Sequence, residues 1–213
     1  MTSGEVPSVR IPAPLPDGVS QATIGVRGGL LRSGFEETAE ATYLTSGYVY
    51  SSAAQAEKAF TGEIDRFVYS RYGNPTVQTF EERLRLIEGA PAAFATASGM
   101  AAVFTGLGAL LASGDRLVAA RSLFGSCFVV CNEILPRWGV ETVFVDGEDL
   151  DQWEQALSQP TTVAFFETPS NPMQSLVDIA AVSEMAHAAG AKVVLDNVFA
   201  TPLLQQGMPL GAD

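Results

Sequence analysis

The sequence predicts an α/β fold, a mostly parallel sheet with helices on both faces, behind an extended N-terminal arm. Three observations carry that prediction. Short apolar, β-branched runs alternate with segments of helical period from about residue 91 to the end, the links between them are short, and the runs stop at small or acidic residues. Repeated strand and helix units with short links are what a parallel sheet needs, because each parallel return requires a crossover. The expected division is an arm and inter-subunit segment over 1–72 and an α/β domain over 73–213.

In chain order, residues 1–16 carry four prolines and no periodicity, the composition of an extended arm. From 21 to 61 the residues are small and polar with scattered aromatics (Tyr43, Tyr48, Tyr50, Phe60), and little predicts regular structure. So long an irregular stretch is expected to be ordered by another subunit. Asn74 then caps a helix with Pro75 in its first turn, Val77, Phe80, Leu84 and Ile87 give it an apolar stripe, and Gly89 ends it. Pro91 to Ala97 reads as a short strand of small apolar residues. Ser98 caps the next helix, whose apolar positions are Met100, Val103, Phe104, Leu107, Leu110 and Leu111. Strands follow at 116–120, 141–145, 161–166 and 192–195, separated by helices at 125–138, 149–157 and 179–189, the last closed by Gly190. Right-handed crossovers place Ser98, Glu167 and Asp196 along one edge of the sheet.

Composition excludes several classes. The net charge is -12, with 12 Lys and Arg against 24 Asp and Glu, which argues against a nucleic-acid partner. A chain that is 47% hydrophobic and 17% charged can bury a core and is not of the disordered class. No apolar run is long enough to span a membrane, and the first twenty residues lack the basic start and apolar centre of a signal peptide, so no membrane partner and a cytoplasmic location are expected. Cys127 and Cys131 lie four apart on one predicted helix face and read as buried free thiols, neither a disulfide nor part of a metal site. His187, the only histidine, reads as a solvated helix residue.

Three places carry possible chemistry. Asp196 ends an apolar strand, where a partly desolvated carboxylate stabilises a cation such as a protonated ring nitrogen; Asp is also a common turn former and cap. Gly99, just behind the Ser98 cap, lets a ligand approach the free amides of a helix start, as a phosphate requires. Tyr69 and Arg71 stand two apart and share a side if the backbone is extended, a pair suited to a phosphate or carboxylate. Each signal is weak alone.

Taken together, YSRYGNPT (69–76), ATASGMAA (95–102), ETPSNP (167–172) and VVLDNVFATP (193–202) resemble, in order and spacing, the Cys/Met-metabolism family of pyridoxal-phosphate enzymes. The resemblance implies an aspartate-aminotransferase-like, fold type I large domain and pyridoxal 5'-phosphate as cofactor. It implies that Tyr69 and Arg71 reach the cofactor phosphate of a neighbouring subunit, Gly99 and Met100 give it backbone amides, Asn171 lies near the ring hydroxyl, and Asp196 pairs with the pyridine nitrogen. It also implies a homo-oligomer, a tetramer built from dimers that share active sites. Where most of the family stacks a tyrosine on the ring, this sequence has Phe124, which keeps the stacking face and lacks the phenol. That substitution and the DNVFATP wording are most like the branch that sulfhydrylates O-succinylhomoserine to homocysteine in methionine biosynthesis. O-acetylhomoserine sulfhydrylation, cystathionine γ-synthesis and methionine γ-elimination are the alternatives within the family. The sequence reaches Asp213 before the SATK-like segment whose lysine forms the Schiff base, and Lys58 and Lys192 are at the wrong places. The resemblance therefore implies the N-terminal half of an enzyme, with no catalytic residue of its own except Tyr69 acting from a partner; a non-catalytic assembly module is the alternative of another class.

Overall fold

A computed structural model describes residues 15–213, so nearly all of the proline-rich arm lies outside the described residues. The chain divides after Ala95 into two compact units.

In the first unit two helices form where the sequence predicted none. They are α1 (Gln21–Arg27), capped by the Ser20 hydroxyl, and α2 (Ala53–Phe60), capped by the Ser52 hydroxyl. The overlooked signal at α2 is a serine followed three residues later by Gln55, whose amide donates to Ser52 Oγ while its Oε1 reaches back to the Ser51 amide. α3 (Pro75–Glu88) is as expected, with Asn74 Oδ1 accepting from the Thr76 amide at 2.9 Å and Gly89 closing it at φ 69°. This helix orders the segment before it. The Tyr43 amide donates to Thr76 Oγ1 at 2.9 Å, Asn74 Nδ2 to the Tyr43 carbonyl at 3.0 Å, and Arg83 Nε to the Gly28 carbonyl at 3.1 Å. Gly29 allows the close crossing, since a Cβ there would stand 2.8 Å from Glu82 Cβ.

The second unit holds the sheet. β1 (Arg116–Ala120), β2 (Glu141–Val145), β3 (Val163–Glu167) and β4 (Lys192–Asp196) are all parallel, in the order β2-β1-β3-β4. β3 is buried at every residue. Alternate side chains feed two cores, as the two-residue period of a strand demands. Leu117, Ala119, Val163 and Phe165 pack under α4 (Gly99–Leu110), α5 (Gly125–Val129) and α6 (Leu135–Arg137). Val118, Ala164, Phe166 and Val193 pack under α7 (Leu150–Leu157) and α8 (Ile179–Ala188).

Two expectations need correction. The helix expected at 125–138 is continuous in path, but its middle, Val130–Ile134, widens to a π-helix before α6. Pro136 lacks a donor and its ring crowds the carbonyl four residues back, and a wider turn just ahead of it relieves both. Residues 91–97 form no strand: among the described residues no neighbour supplies a ladder, and the Ala95 amide goes instead to Glu81 Oε1 at 2.7 Å. A β-propensity run becomes a strand only when another backbone completes it.

His187 is also more engaged than predicted. Its Nε2 lies 2.9 Å from Asp213 Oδ2, while Lys192 Nζ meets Oδ1 at 2.7 Å and the Val193 amide donates to Oδ2 at 2.9 Å. Burial alone raises the Asp213 pKa, but these three donors outweigh it and hold the carboxyl at about 2.

Trp153 is fully buried, sits edge-on to Phe166 at 5.8 Å and donates its indole N–H to the Gly147 carbonyl. Trp153→Ala is expected to cost about 3–5 kcal/mol, read as a fall in urea midpoint. Because the folded Asp213 pKa lies below its ordinary 3.8, its contribution is complete above that pH and lost as pH falls toward 2. Asp213→Asn should therefore cost about 1–2 kcal/mol at pH 7, and the gap between variant and wild type should close between about pH 4 and pH 2.

Candidate functional site

The order β2-β1-β3-β4 fixes where a ligand fits. From β1 the chain runs outward to β2, then crosses back to β3 on the other side, so the loops after β1 and β3 leave in opposite directions. A crevice opens at such a switch point, outside the carboxyl ends of the strands. There the structure has a cavity of about 480 Å³, lined by Gly99 and Met100 from the start of α4, Phe124 after β1, Glu167 and Asn171 at the end of β3, and Asp196 at the end of β4. Its floor is apolar, with Val103, Phe165 and Val194.

Each wall follows from its local sequence. Ser98 Oγ accepts the Ala101 amide at 3.1 Å, and among the described residues no acceptor meets the amides of Gly99 and Met100. The space beside the Gly99 α-carbon is open, with nothing within 4 Å of a Cβ built there. Two free amides at the positive end of a twelve-residue helix suit an anion. Asp196 Oδ1 accepts the Val198 amide at 3.1 Å, and among the described residues no Lys, Arg or His pairs with it. Phe124 precedes α5, half exposed, with its ring free to cover a flat ligand.

Glu167 ties these parts together, a role that sequence reading missed. Its side chain is 1% exposed. Oε2 accepts the Phe124 amide at 2.6 Å and Oε1 the Asn171 amide at 3.1 Å. Burial, and behind it the charge of Asp196, raises its pKa above the ordinary carboxylate value, opposed by the two amides. Nothing in ETPSNP announces this, because burial and the Phe124 contact are tertiary; the only hint was an acid closing a wholly apolar run. Cys127 lies in the same lining, its thiol 3.7 Å from Met100 Sδ. Burial first, then Asp196 and Glu167, push its pKa to about 11; burial and Cys127 push Cys131 to about 12.

Tyr69 and Arg71 belong to the first unit. They do not lie along an extended segment, since residues 70–72 form a turn closed by the Tyr72 amide on the Tyr69 carbonyl. The Arg71 guanidinium instead folds over the Tyr69 ring at 4.8 Å and the Tyr72 ring at 5.4 Å. The pair still shares a side, now by stacking.

The cavity thus combines anion-binding amides, an aromatic cover and a carboxylate in want of a cation. That donor set fits a flat, protonated, phosphate-bearing heteroaromatic ring. The family model for Cys/Met metabolism PLP-dependent enzymes matches residues 22–213. An O-succinylhomoserine sulfhydrylase of Mycobacterium tuberculosis is 85% identical over 206 residues, 97% of this chain and 51% of that protein. The O-succinylhomoserine sulfhydrylase of Pseudomonas aeruginosa is 46% identical over 197 residues, 92% of this chain and 49% of its own. Among solved structures, a putative O-acetylhomoserine (thiol)-lyase from Campylobacter jejuni, crystallised with N'-pyridoxyl-lysine-5'-monophosphate, superposes with a TM-score of 0.84 at 30% identity. That match covers 92% of this chain and 49% of the other. The chain spans about half the length of the curated relatives it matches.

With a pKa near 11, about one Cys127 thiol in a thousand is ionised at pH 8. Alkylation of the native protein by iodoacetamide should therefore be slow at pH 7–8, rise about tenfold with each pH unit and level off only near pH 11, while denatured protein reacts much faster at pH 8; mass spectrometry of the labelled peptide checks this.

Proposed function

The chain belongs to the Cys/Met-metabolism PLP-dependent enzyme family, and from that premise we propose that the intact protein converts O-succinylhomoserine and sulfide to homocysteine and succinate, a step of methionine biosynthesis. The observation that carries this reading is the 85% identity to an O-succinylhomoserine sulfhydrylase along nearly the whole chain. Phe124, without the phenol that most of the family carries at the matching place, supports the same branch.

Pyridoxal phosphate, when bound, supplies an electron sink that eases loss of protons from the substrate. The residues of this chain would hold it. Gly99 and Met100 would offer their free amides to the phosphate, Tyr69 and Arg71 of a neighbouring subunit would add a hydroxyl and a guanidinium, and Asn171 would donate to the ring oxygen. Asp196 would keep the ring nitrogen protonated, because a carboxylate beside it favours the charged form. Phe124 would cover the ring face and exclude water. No lysine lines the cavity among the described residues; Lys192 is at the amino end of β4, away from Asp196 and held by Asp213.

We infer a cytoplasmic homo-oligomer, a tetramer built from two dimers with shared sites. Phe35, Leu44 and Val49 support this, each at least 90% exposed in a segment that would otherwise leave them in water. Among the described residues no helix is long and apolar enough to cross a membrane.

The test is a rate comparison with the intact protein. Homocysteine should form from O-succinylhomoserine and sulfide at least tenfold faster than from the acetyl ester, or than cystathionine forms when cysteine replaces sulfide, and α-ketobutyrate release from methionine should be negligible. Asp196→Asn should lower kcat/KM by at least a hundredfold. Preference for the acetyl ester or for cysteine would transfer the protein to that branch of the family.

A further inference from the structure

We propose that Glu167 is a positioning residue of this site, whose buried carboxylate sets the gap between Phe124 and Asn171 by taking one backbone N–H from each. The proposal rests on the pyridoxal-phosphate reading above and adds to it a residue that would not touch the reacting atoms.

Three observations support it. First, the loops after β1 and β3 diverge at the switch point, and among the described residues no backbone hydrogen bond joins 121–124 to 168–175. Apart from Glu167, a hydrogen bond between Ser122 Oγ and Ser170 Oγ links them, long at 3.4 Å. Glu167 spans the same gap at 2.6 and 3.1 Å, with one oxygen committed to each loop. Second, it grips main chain rather than side chains, so Phe124 and Asn171 are placed at their α-carbons while their side chains stay free to meet a ligand. Third, Glu167 is the register partner of Asp196 across β3 and β4, so the brace and the carboxylate proposed for the ring nitrogen start from adjacent points of one rigid sheet. A shift of either loop changes how a ring seated on Asp196 meets its cover and its lateral donor.

The test uses the intact protein as wild type, Glu167→Gln, Glu167→Asp and Asp196→Asn. Glutamine keeps the shape but turns an NH2 toward one of the two donors, and aspartate is too short to reach both. Three quantities are read: pyridoxal-phosphate affinity of the apoprotein, visible circular dichroism of the bound cofactor, and melting temperature of the apoprotein. Glu167→Gln is expected to weaken binding about tenfold and to change the visible dichroism, with Glu167→Asp intermediate. The dichroism separates positioning from mere stability, because it reports the asymmetric surroundings of the ring. If both Glu167 variants bind within twofold of wild type with unchanged dichroism, the proposal is overturned while the cofactor reading stands. A lowered apoprotein melting temperature with unchanged dichroism also overturns it. If wild type takes up no cofactor, or Asp196→Asn binds as wild type does, the cofactor reading falls and the proposal with it. Should Glu167→Gln not fold, Glu167→Asp decides by the same criteria.

Discussion

Two backbone N–H groups donated to one buried carboxylate hold the carboxyl edge of this sheet in shape. Glu167 ends β3, the one strand buried at every residue, so its carboxylate has given up water and depends on those donors. Hydrogen bonds to a charged group contribute roughly 1.5–3 kcal/mol each, enough to keep the group buried, but they do not remove its neighbour. Asp196 stands beside it in register on β4. Like charges on neighbouring strands repel, the more so where one of them is buried. Burial first, and the charge of Asp196 behind it, raise the Glu167 pKa. A cation placed against Asp196 would offset that repulsion.

The placement of that pair follows from topology. A parallel sheet whose order reverses about β1 sends successive loops apart, and the opening is lined by whatever closes the strands. The closing residues are acids on β3 and β4 and a capped helix start ahead of β1, giving the cavity free amides at one end and a carboxylate at the other. The floor between them, from Phe165 and Val194, is apolar. Charges that act across apolar side chains interact more strongly than the same charges in open solvent.

Much of this was legible in the sequence, for reasons that differ between elements. The four strands of the second unit and α3, α4, α7 and α8 announce themselves because period, cap and terminator agree at each of them. Asp196 and Gly99 stood out as candidates because a strand end and a helix start are local features, and both line the cavity. The helices α1 and α2 were not, since their short amphipathic stripes are weak and the deciding signals are serine caps. Residues 91–97 misled in the opposite direction, as strand character depends on a partner that the window cannot show. Glu167 was placed on the right edge, but its two donors come from 43 residues before it and 4 after it, a pairing that no local pattern encodes.

A site held through main-chain amides has a further property. Because Glu167 grips the amide of residue 124 rather than its side chain, the frame does not depend on which aromatic stands there. Phenylalanine or tyrosine would present the same face at the same height, and the difference between them would be confined to a phenolic hydroxyl projecting into the cavity. Asn171 is held in the same way and keeps both groups of its amide available. Side chains that touch the ligand can therefore change the chemistry while the loops that carry them remain fixed. In this fold the residue that determines geometry and the residues that determine reactivity are different ones, joined by backbone hydrogen bonds across the switch point.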